Sequence, residues 1–381
     1  MRQELVKQVV DKIGRGEVGA AGKSMTIGFD GFIDSIVRIV REHSESGAEH
    51  YRSKASFGQS LTQLATRNAS FELTEVTTKI GGNMPIAAHA LARLGVHVRC
   101  IGMLGCPVPD PHFASMDGNC ELHSFANPSH SMALEFEDGK ILLAKSDLLR
   151  TIGWQEIART LGLSRLIDLY RDADAIGFAN WGEIDRATEI WEGVERDILP
   201  HMAIGAPRIA LFDLADSSRR TAQEFRRLAA LVGRLTARCE TVMCLNANEA
   251  LALNAVLGGD EHESDVGTAG EALFAALDVH TLIVRHARAA KAWTRNGVVE
   301  EDTFYVERPR LSTGGGDNFN AGYCFARLAG LDVEQGLVIA AGVAGFYVTE
   351  GDSPTLEQLG GFLMERAPAA DMPARQVGGM R

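Results

Sequence analysis

The chain has 381 residues, of which 45% are hydrophobic and 23% are charged, a composition that excludes intrinsically disordered and fibrous proteins. The formal net charge of −12 at pH 7 would repel the phosphates of nucleic acids and anionic lipids. We therefore expect neither a nucleic-acid partner nor a membrane partner.

The first 16 residues predict an amphipathic helix, with Leu5, Val6, Val9, Val10 and Ile13 on one face. They lack the continuous apolar run of a signal peptide, and no segment approaches about 18 uninterrupted apolar residues. The six cysteines include no CxxC pair, which argues against a zinc ribbon or a thioredoxin-like site. We expect a cytoplasmic protein with reduced thiols.

Six short apolar runs then predict buried parallel strands, because such strands are covered on both faces. They lie at residues 25–29, 98–104, 175–179, 208–214, 242–246 and 281–285. Helical periodicity appears between some of them, at residues 184–198 and 218–237. This alternation of strands and helices predicts an α/β fold with three layers.

Two polar, uneven stretches interrupt the alternation, at about residues 35–80 and 120–148. The second alternates in polarity and contains Asp138-Gly139, which is a strong hairpin signal, as is Asn296-Gly297 further along the chain. The two stretches either form a small β lid at one edge of the sheet or are ordinary surface insertions. Since no linker or repeat is present, we predict one domain, residues 1–381, with both stretches inserted as lid segments.

No familiar glycine-rich nucleotide loop lies near the N-terminus. Residues 16–24 only superficially resemble a Walker A loop, because Glu17 stands at the first glycine and the segment precedes a strand. A dinucleotide-binding GxGxxG turn is missing as well.

Three consecutive glycines, Gly314, Gly315 and Gly316, precede a helical pattern that begins at Asp317. Such a run favours no regular element and indicates either an unusual backbone conformation or close approach of a ligand. Free amides of the turn and the positive end of the helix dipole favour an anion, so we predict an anion hole for a transferring phosphoryl group. Asp317 either caps the helix or accepts the proton of an attacking hydroxyl, and the neighbouring anion hole favours the second role.

The segment 313–322, TGGGDNFNAG, resembles the second signature of the PfkB (ribokinase-like) carbohydrate kinase family, usually written DTTGAGDAFNAG. The resemblance implies a ribokinase-like three-layer αβα sandwich with a mostly parallel central sheet and a small β lid. It also implies a kinase that transfers the terminal phosphoryl group of ATP, with Mg²⁺, to a hydroxyl of a sugar-like substrate. Asp317 would be the catalytic base, and the three glycines would form the anion hole. Two positions depart from the family pattern, since Leu311 replaces an aspartate and Gly315 an alanine.

Further roles follow from the same resemblance. Nucleotide-binding roles are implied for Thr313, Gly314, Gly316 and Asn320. Residues 244–250 match the family's NxxE motif, which implies that Asn246 and Glu249 organise Mg²⁺ and that Asn246 also lies beside the nucleotide. The family's TxGxxG turn is missing after residue 285, where Arg288 is either a phosphate ligand or, like His286, an ordinary surface residue. Residues 338–351 either correspond to the small-residue helix beside the adenine that they resemble in the family, or form an ordinary packed helix.

The acceptor side has two candidate segments. Residues 78–105 resemble the first family signature, which implies substrate contacts by Gly81, Gly82 and Asn83, although Ile86 replaces a usual asparagine. Asp30 and Asp34 follow the first predicted strand, at the edge where open α/β sheets bind ligands, and carboxylates suit the hydroxyls of a sugar. We favour Asp34 over Asp30, and either residue could instead be a solvent-facing turn acid.

Several alternatives stay open at this point. The chain could be a nucleoside kinase or an ADP-dependent kinase of the same fold. It could also be a kinase-like binding protein without turnover, which Leu311, Ile86 and the missing TxGxxG glycines would suggest. The expected partners are a sugar-like substrate and a nucleotide, and the lid offers a surface for a homodimer.

Overall fold

A computed structural model describes residues 3–45, 47–145, 147–202, 208–259, 263–307, 309–311 and 313–366. The strands of these residues are β1 Ser24–Gly28, β2 Phe32–Ser44, β3 Gly47–His50, β4 Leu73–Gly81, β5 His97–Gly102, β6 Cys120–Ser124, β7 Ser129–Phe136, β8 Gly139–Lys145, β9 Ala175–Phe178, β10 Ile209–Asp213, β11 Glu240–Asn246, β12 Thr281–Arg285, β13 Ala289–Thr294 and β14 Gly297–Asp302.

The helices of the same residues are found from the start to the end of the described chain. They are α1 Gln3–Gly14, α2 Lys54–Gln63, α3 Asn83–Arg93, α4 Asp147–Thr151, α5 Trp154–Leu161, α6 Leu163–Arg171, α7 Ala187–Asp197, α8 Ala222–Thr236, α9 Ala247–Val256, α10 Val266–Ala276, α11 Gly315–Leu328, α12 Val333–Glu350 and α13 Leu356–Arg366. None of the described helices is long and apolar enough to cross a lipid bilayer.

Nine of the described strands form the central sheet, in the order β14-β13-β12-β11-β10-β9-β1-β5-β6. The pairs from β12 to β6 are parallel, whereas β13 and β14 add an antiparallel edge. The six predicted strands are all confirmed here, as are the helices predicted at 184–198 and 218–237, which form α7 and α8. The mostly parallel α/β sheet that the sequence predicted is therefore present.

Apolar side chains cover both faces of this sheet, which explains why its strands are nearly continuous apolar runs. Within a strand the side chains alternate between two core clusters: Leu211 packs on the face of α1, α3, α11 and α12, and Phe212 packs on the opposite face. The first cluster includes Val9, Leu91, Tyr323 and Val338, and the second includes Ile157, Trp191, Leu228 and Leu273. The three predicted layers are thus confirmed.

A second, smaller sheet forms the lid. Strand β2 pairs with β3, β4 and β7, and β7 pairs with β8 across the predicted hairpin, in which Phe136 stands opposite Gly139. The second lid segment begins later than predicted, because Cys120–Ser124 pairs with β5 as the edge strand of the central sheet. The homodimer through this lid stays a prediction.

Candidate active site

Polar side chains lie at the carboxyl ends of three neighbouring strands. Asp213 ends β10, Asn246 ends β11 and Arg285 ends β12, and Asn246 stands directly opposite Arg285 in the strand register. Parallel strands all present their carboxyl ends at one edge, so these three side chains converge there. The lid sheet begins from the same edge, at Phe32.

The glycine run forms the turn before α11. Gly314 has a φ of +97°, in the left-handed region, and a Cβ at this position would lie 2.6 Å from the Tyr347 hydroxyl. The Gly314 carbonyl accepts hydrogen bonds from the Asn318 amide at 3.0 Å and from Asn318 Nδ2 at 2.9 Å, and Tyr347 donates to the Thr313 carbonyl at 3.0 Å. The first-turn amides of Gly315, Gly316 and Asp317 have no helical acceptor, so they are available to an anion.

Arg285 packs against this turn. A Cβ on Gly316 would lie 2.2 Å from an Arg285 guanidinium nitrogen, so a larger residue there would displace the end of that side chain. Arg285 Nε is buried, and no acceptor for it is found in the described part of the chain. A guanidinium beside free amides at a helix start concentrates positive charge where a phosphoryl group would lie.

Asp317 is buried at the first turn of α11, with 7% of its surface exposed. Its Oδ1 accepts a hydrogen bond from Asn83 Nδ2 at 2.9 Å, and the N-cap position, Gly314, has no side-chain capping bond. The helix-capping role is therefore not what this carboxylate does. Burial, then repulsion from Asp213, raise the pKa of Asp317 well above its usual value, and Arg285 offsets part of that rise. A buried carboxylate with a raised pKa is suited to accept a proton.

Glu249 and Asn246 form a capping box at the start of α9. Asn246 Oδ1 accepts from the Glu249 amide at 2.9 Å, while Glu249 accepts from the Asn246 amide at 2.8 Å and from Asn246 Nδ2 at 2.6 Å. Burial, followed by repulsion from Asp213, raises the pKa of Glu249 to about 7. The pair is thus held rigidly at the cavity, and the carboxylate oxygens retain lone pairs on the side away from Asn246.

The oxygen donors at this edge fit a hard cation but do not form a closed metal cage. Asp213 and Glu249 line one cavity, and repulsion from Asp213 contributes to the raised pKa of Glu249; a divalent cation would relieve that repulsion. Among the described residues, no group of three or more His, Cys, Asp or Glu side chains is arranged to hold a metal. This donor set suits Mg²⁺, which keeps several waters and takes the rest of its ligands from phosphates.

Two cavities meet at Asn246, Arg285 and Gly316, which line both. The larger, about 560 Å³, is lined by His286, Tyr305 and Gly315 and by small residues of α12, namely Ala341, Ala344 and Gly345. The smaller, about 330 Å³, is lined by Asp34, Asn83, Asp213, Glu249 and Asp317. We refer to them as the donor cavity and the acceptor cavity, because the glycine turn before α11 separates them and the candidate base faces only the smaller one.

The predicted acceptor residues fall into two groups. Asp34 faces the acceptor cavity and accepts from Ser131 at 2.5 Å, and Gly81 leaves room for its carboxylate. Gly82 and Asn83 also line this cavity. Asp30 does not: it is fully buried, and its carboxylate accepts from the amides of Asn83 and Met84 and from Asn180 Nδ2, each at 2.8 Å. Asp30 therefore anchors the start of α3, which corrects the substrate-binding role predicted for it.

Several predicted nucleotide residues also lie elsewhere. Asn320 is buried in α11 and donates to Asp213 at 2.7 Å, so it positions that carboxylate and lines neither cavity. Arg288 is exposed and stacks on Tyr305 at 4.1 Å, outside both cavities. Thr313 and Gly314 line the acceptor cavity but not the donor cavity. Only Gly316 and Asn246 of the predicted set face the donor side.

Sequence reasoning missed Arg285 and Asp213. Each is the last residue of a strand whose apolar run was recognised, and a polar side chain in that position is the available signal. The sequence offered Arg288 as the cationic phosphate candidate after this strand. The strand ends three residues earlier, at Arg285.

The sequence matches a family model described as prokaryotic ketohexokinase over residues 7–365. It is 28% identical over 344 residues to a ketohexokinase of Haloferax volcanii, covering 90% of this chain and 91% of that protein. Among solved structures it is similar to Arabidopsis thaliana ribokinase complexed with ribose and ATP, with 14% identity, a TM-score of 0.60 and coverage of 90% of this chain and 98% of that one. A Burkholderia thailandensis nucleoside kinase in complex with inosine has 17% identity, the same TM-score and the same coverage. The predicted ribokinase-like fold is confirmed by these similarities.

Proposed function

Because this chain belongs to the prokaryotic ketohexokinase family, we propose that it transfers the terminal phosphoryl group of ATP, with Mg²⁺, to a hydroxyl of a ketohexose, and that Asp317 is the general base. The predicted class, a carbohydrate kinase acting on an alcohol group, is confirmed by the family membership and by the ketohexokinase relative. The identity of the sugar, the donor and the residue roles are the parts that we propose.

One observation carries the proposal. Asp317, the free amides at the start of α11 and the Arg285 guanidinium all lie where the donor and acceptor cavities meet. A base, an anion hole and a cation at the boundary of two cavities are the groups that phosphoryl transfer requires.

The chemical step follows from this arrangement. The sugar hydroxyl enters the acceptor cavity, where Asp34 and Asn83 orient it, and its oxygen attacks the terminal phosphorus of the nucleotide. Its proton passes to Asp317, while the bond from that phosphorus to the bridging oxygen breaks and releases the nucleoside diphosphate. The amides of Gly315 and Gly316 and the guanidinium of Arg285 stabilise the charge on the phosphoryl oxygens during transfer.

Mg²⁺, when bound, would neutralise charge on the donor phosphates and so make the terminal phosphorus more electrophilic. Glu249 and Asp213 would hold it, largely through water molecules. The Asn246 capping box keeps Glu249 in a single orientation toward the cavity. Asn320 does the same for Asp213.

A transfer assay with a matrix of donors and acceptors tests the proposal. ATP and ADP are each combined with a ketohexose, an aldopentose and a nucleoside, and phosphorylated product is identified by phosphorus NMR. We expect ATP with the ketohexose to have the highest kcat/KM. Preference for a nucleoside would replace the proposed acceptor, and preference for ADP would replace the proposed donor. No transfer with any pair would favour a kinase-like binding protein.

A variant of Arg285 tests the arrangement itself. Arg285→Met removes the guanidinium at the boundary and should lower kcat by on the order of 10²-fold, as loss of one stabilising donor does. Arg234→Met is the matched control, because Arg234 lies on α8 and pairs with Glu195 at 3.3 Å, away from both cavities, so its loss should leave kcat unchanged.

A further inference from the structure

The loop between β9 and α7 carries the Glu183 carboxylate into the lining of the acceptor cavity. Asn180, in the same loop, is fully buried and has a φ of +58°, a left-handed conformation that asparagine tolerates better than most residues. Its Nδ2 donates to Glu183 at 3.2 Å and to Asp30 at 2.8 Å. The Gly182 amide donates to the Leu214 carbonyl at 2.7 Å, which joins the loop to the chain after β10. These hydrogen bonds fix the position from which Glu183 faces the cavity.

A buried arginine holds the backbone of this loop. Arg220 precedes α8, its side chain is only 6% exposed, and its guanidinium stacks on the Trp181 ring at 4.6 Å. It donates to the Asp185 carbonyl at 2.9 Å and to the carbonyls of Trp181 and Ile184. These three carbonyls flank Glu183 on both sides, so one side chain fixes the backbone that carries it. A lysine could not replace these contacts, because its donors share one nitrogen, whereas the guanidinium spreads its donors over a planar fork.

In the part of the chain that the structure describes, Glu183 has no ion-pair partner. The two arginines that lie in or against its loop pair with other carboxylates, Arg186 with Glu189 at 2.6 Å and Arg220 with Glu224 at 2.7 Å. Asn180 occupies only one of the acceptor positions of the Glu183 carboxylate. The others are therefore open to hydroxyl donors in the cavity.

Negative charge dominates the whole acceptor cavity. Its carboxylates are those of Asp34, Glu183, Asp213, Asp216, Glu249 and Asp317. Among the described residues that line it, Arg285 is the one basic side chain, and it packs against the glycine turn, where the phosphoryl group is expected. Lys79 and Lys140 do not line this cavity and lie beside Asp34 in a neighbouring one. An anionic acceptor would therefore meet an uncompensated charge at Glu183, whereas a neutral sugar would donate its hydroxyls to it.

We propose that Glu183 determines the specificity of the acceptor cavity, by accepting hydrogen bonds from a neutral sugar and repelling a sugar that carries a carboxylate, and that Arg220 positions it. The inference rests on the proposed function for the sugar class of the acceptor. Hydroxyls donate charge-assisted hydrogen bonds to a carboxylate. A like charge brought to the same carboxylate without a counter-ion opposes binding, so the one residue both favours the correct acceptor and excludes the wrong one.

Calorimetric titration tests the charge selection without requiring turnover. Fructose and fructuronate, which differ by a carboxylate at the sixth carbon, are titrated into the wild type, Glu183→Gln and Glu195→Gln at constant ionic strength. Glu195 is the matched control, because it lies on α7 and pairs with Arg234 at 3.3 Å outside the cavity. We expect the wild type and the control to bind fructose at least about tenfold tighter than fructuronate, and Glu183→Gln to lose most of this preference.

Arg220→Lys tests the positioning role, because it keeps the charge beside Glu224 but cannot bond three carbonyls. KM for fructose should rise about tenfold, while kcat and KM for ATP change by less than about twofold, since the loop does not line the donor cavity. Combined with Glu183→Gln, it should weaken fructose binding no further, because Arg220 acts through Glu183. A further loss in the double variant, or an equal rise in KM for ATP, would overturn the positioning role.

The outcomes separate this inference from the proposed function. If the wild type phosphorylates fructose but Glu183→Gln keeps the full preference over fructuronate, the inference is overturned and the function stands; equal binding of both sugars to the wild type has the same meaning. If the wild type phosphorylates no sugar while its preference for the neutral one still disappears in Glu183→Gln, the proposed function alone is contradicted. Binding of neither sugar to the wild type would contradict both. Should Arg220→Lys fail to fold, the titration of Glu183→Gln still decides the specificity role.

Discussion

Asp317→Asn removes the proposed base while keeping its shape. An asparagine can still offer an oxygen to Asn83 Nδ2, which lies 2.9 Å from the carboxylate, but it cannot take a proton from a sugar hydroxyl. We expect kcat to fall by on the order of 10²- to 10⁴-fold, which corresponds to about 2.7 to 5.5 kcal/mol of activation free energy. The assay is steady-state transfer to the best acceptor, with nucleotide affinity measured separately by calorimetry.

The stability of the same variant separates a base from a structural carboxylate. Burial beside Asp213 raises the pKa of Asp317 in the folded chain above its value in the unfolded chain. Its protonated form therefore stabilises the fold at low pH, and this contribution is lost as the pH rises through the folded pKa. Asp317→Asn should consequently be as stable as the wild type at acidic pH and relatively more stable at neutral pH.

Asp332 provides the matched control, because its carboxylate does cap a helix. It accepts from the Gln335 amide at 2.8 Å at the start of α12. Asp332→Ala should lower the free energy of unfolding by about 0.5 to 2 kcal/mol and leave kcat unchanged. Asp317→Ala should instead lower kcat without the loss of stability that removal of a helix cap causes. Near-normal kcat in Asp317→Asn, or a loss of stability like that of the control, would refute the assignment of the base.

Three more predictions concern neighbouring carboxylates. Glu249→Gln can keep the hydrogen bond from the Asn246 amide but loses the one from Asn246 Nδ2, so it should raise the Mg²⁺ concentration for half activity with a small loss of stability. An unchanged Mg²⁺ titration would contradict the metal assignment. Because the pKa of Glu249 is raised to about 7, wild-type kcat/KM should fall as the pH drops below neutral, and a fall centred near pH 4 would show that this group does not limit activity. Asp30 has its pKa raised from 3.8 to about 6, chiefly by burial, so the fold should lose about 3 kcal/mol of stability from this group as the pH rises from 4 past 6. The unfolding free energy of Asp30→Asn, measured by urea titration across that range, should lack this decline, and an equal decline in both proteins would refute the assignment.

The local sequence was sufficient for features that depend on short-range physics. The central strands are apolar on consecutive residues because helices cover both faces of the sheet, and that pattern is readable without knowing which helices they are. The glycine run could be predicted as an anion-binding turn because Gly314 has the positive φ that favours glycine. Asp317 could be placed in the first turn of the following helix, which begins two residues earlier, at Gly315. The hairpin at Asp138-Gly139 was readable for the same reason.

Tertiary structure decided which polar residues share a cavity, because that depends on how distant elements pack. Asp30 and Asp34 follow the same strand, but the docking of α3 buries the first under two amides and leaves the second facing the acceptor cavity. Packing of α11 against the end of β12 brings Gly316 onto Arg285, which no local pattern relates to the glycine turn. The lid sheet likewise brings Lys140 against the hydroxyl of Thr313, which is far from it in sequence. Periodicity and backbone preference are properties of neighbouring residues, whereas a binding site is a property of the packing of elements from the whole chain.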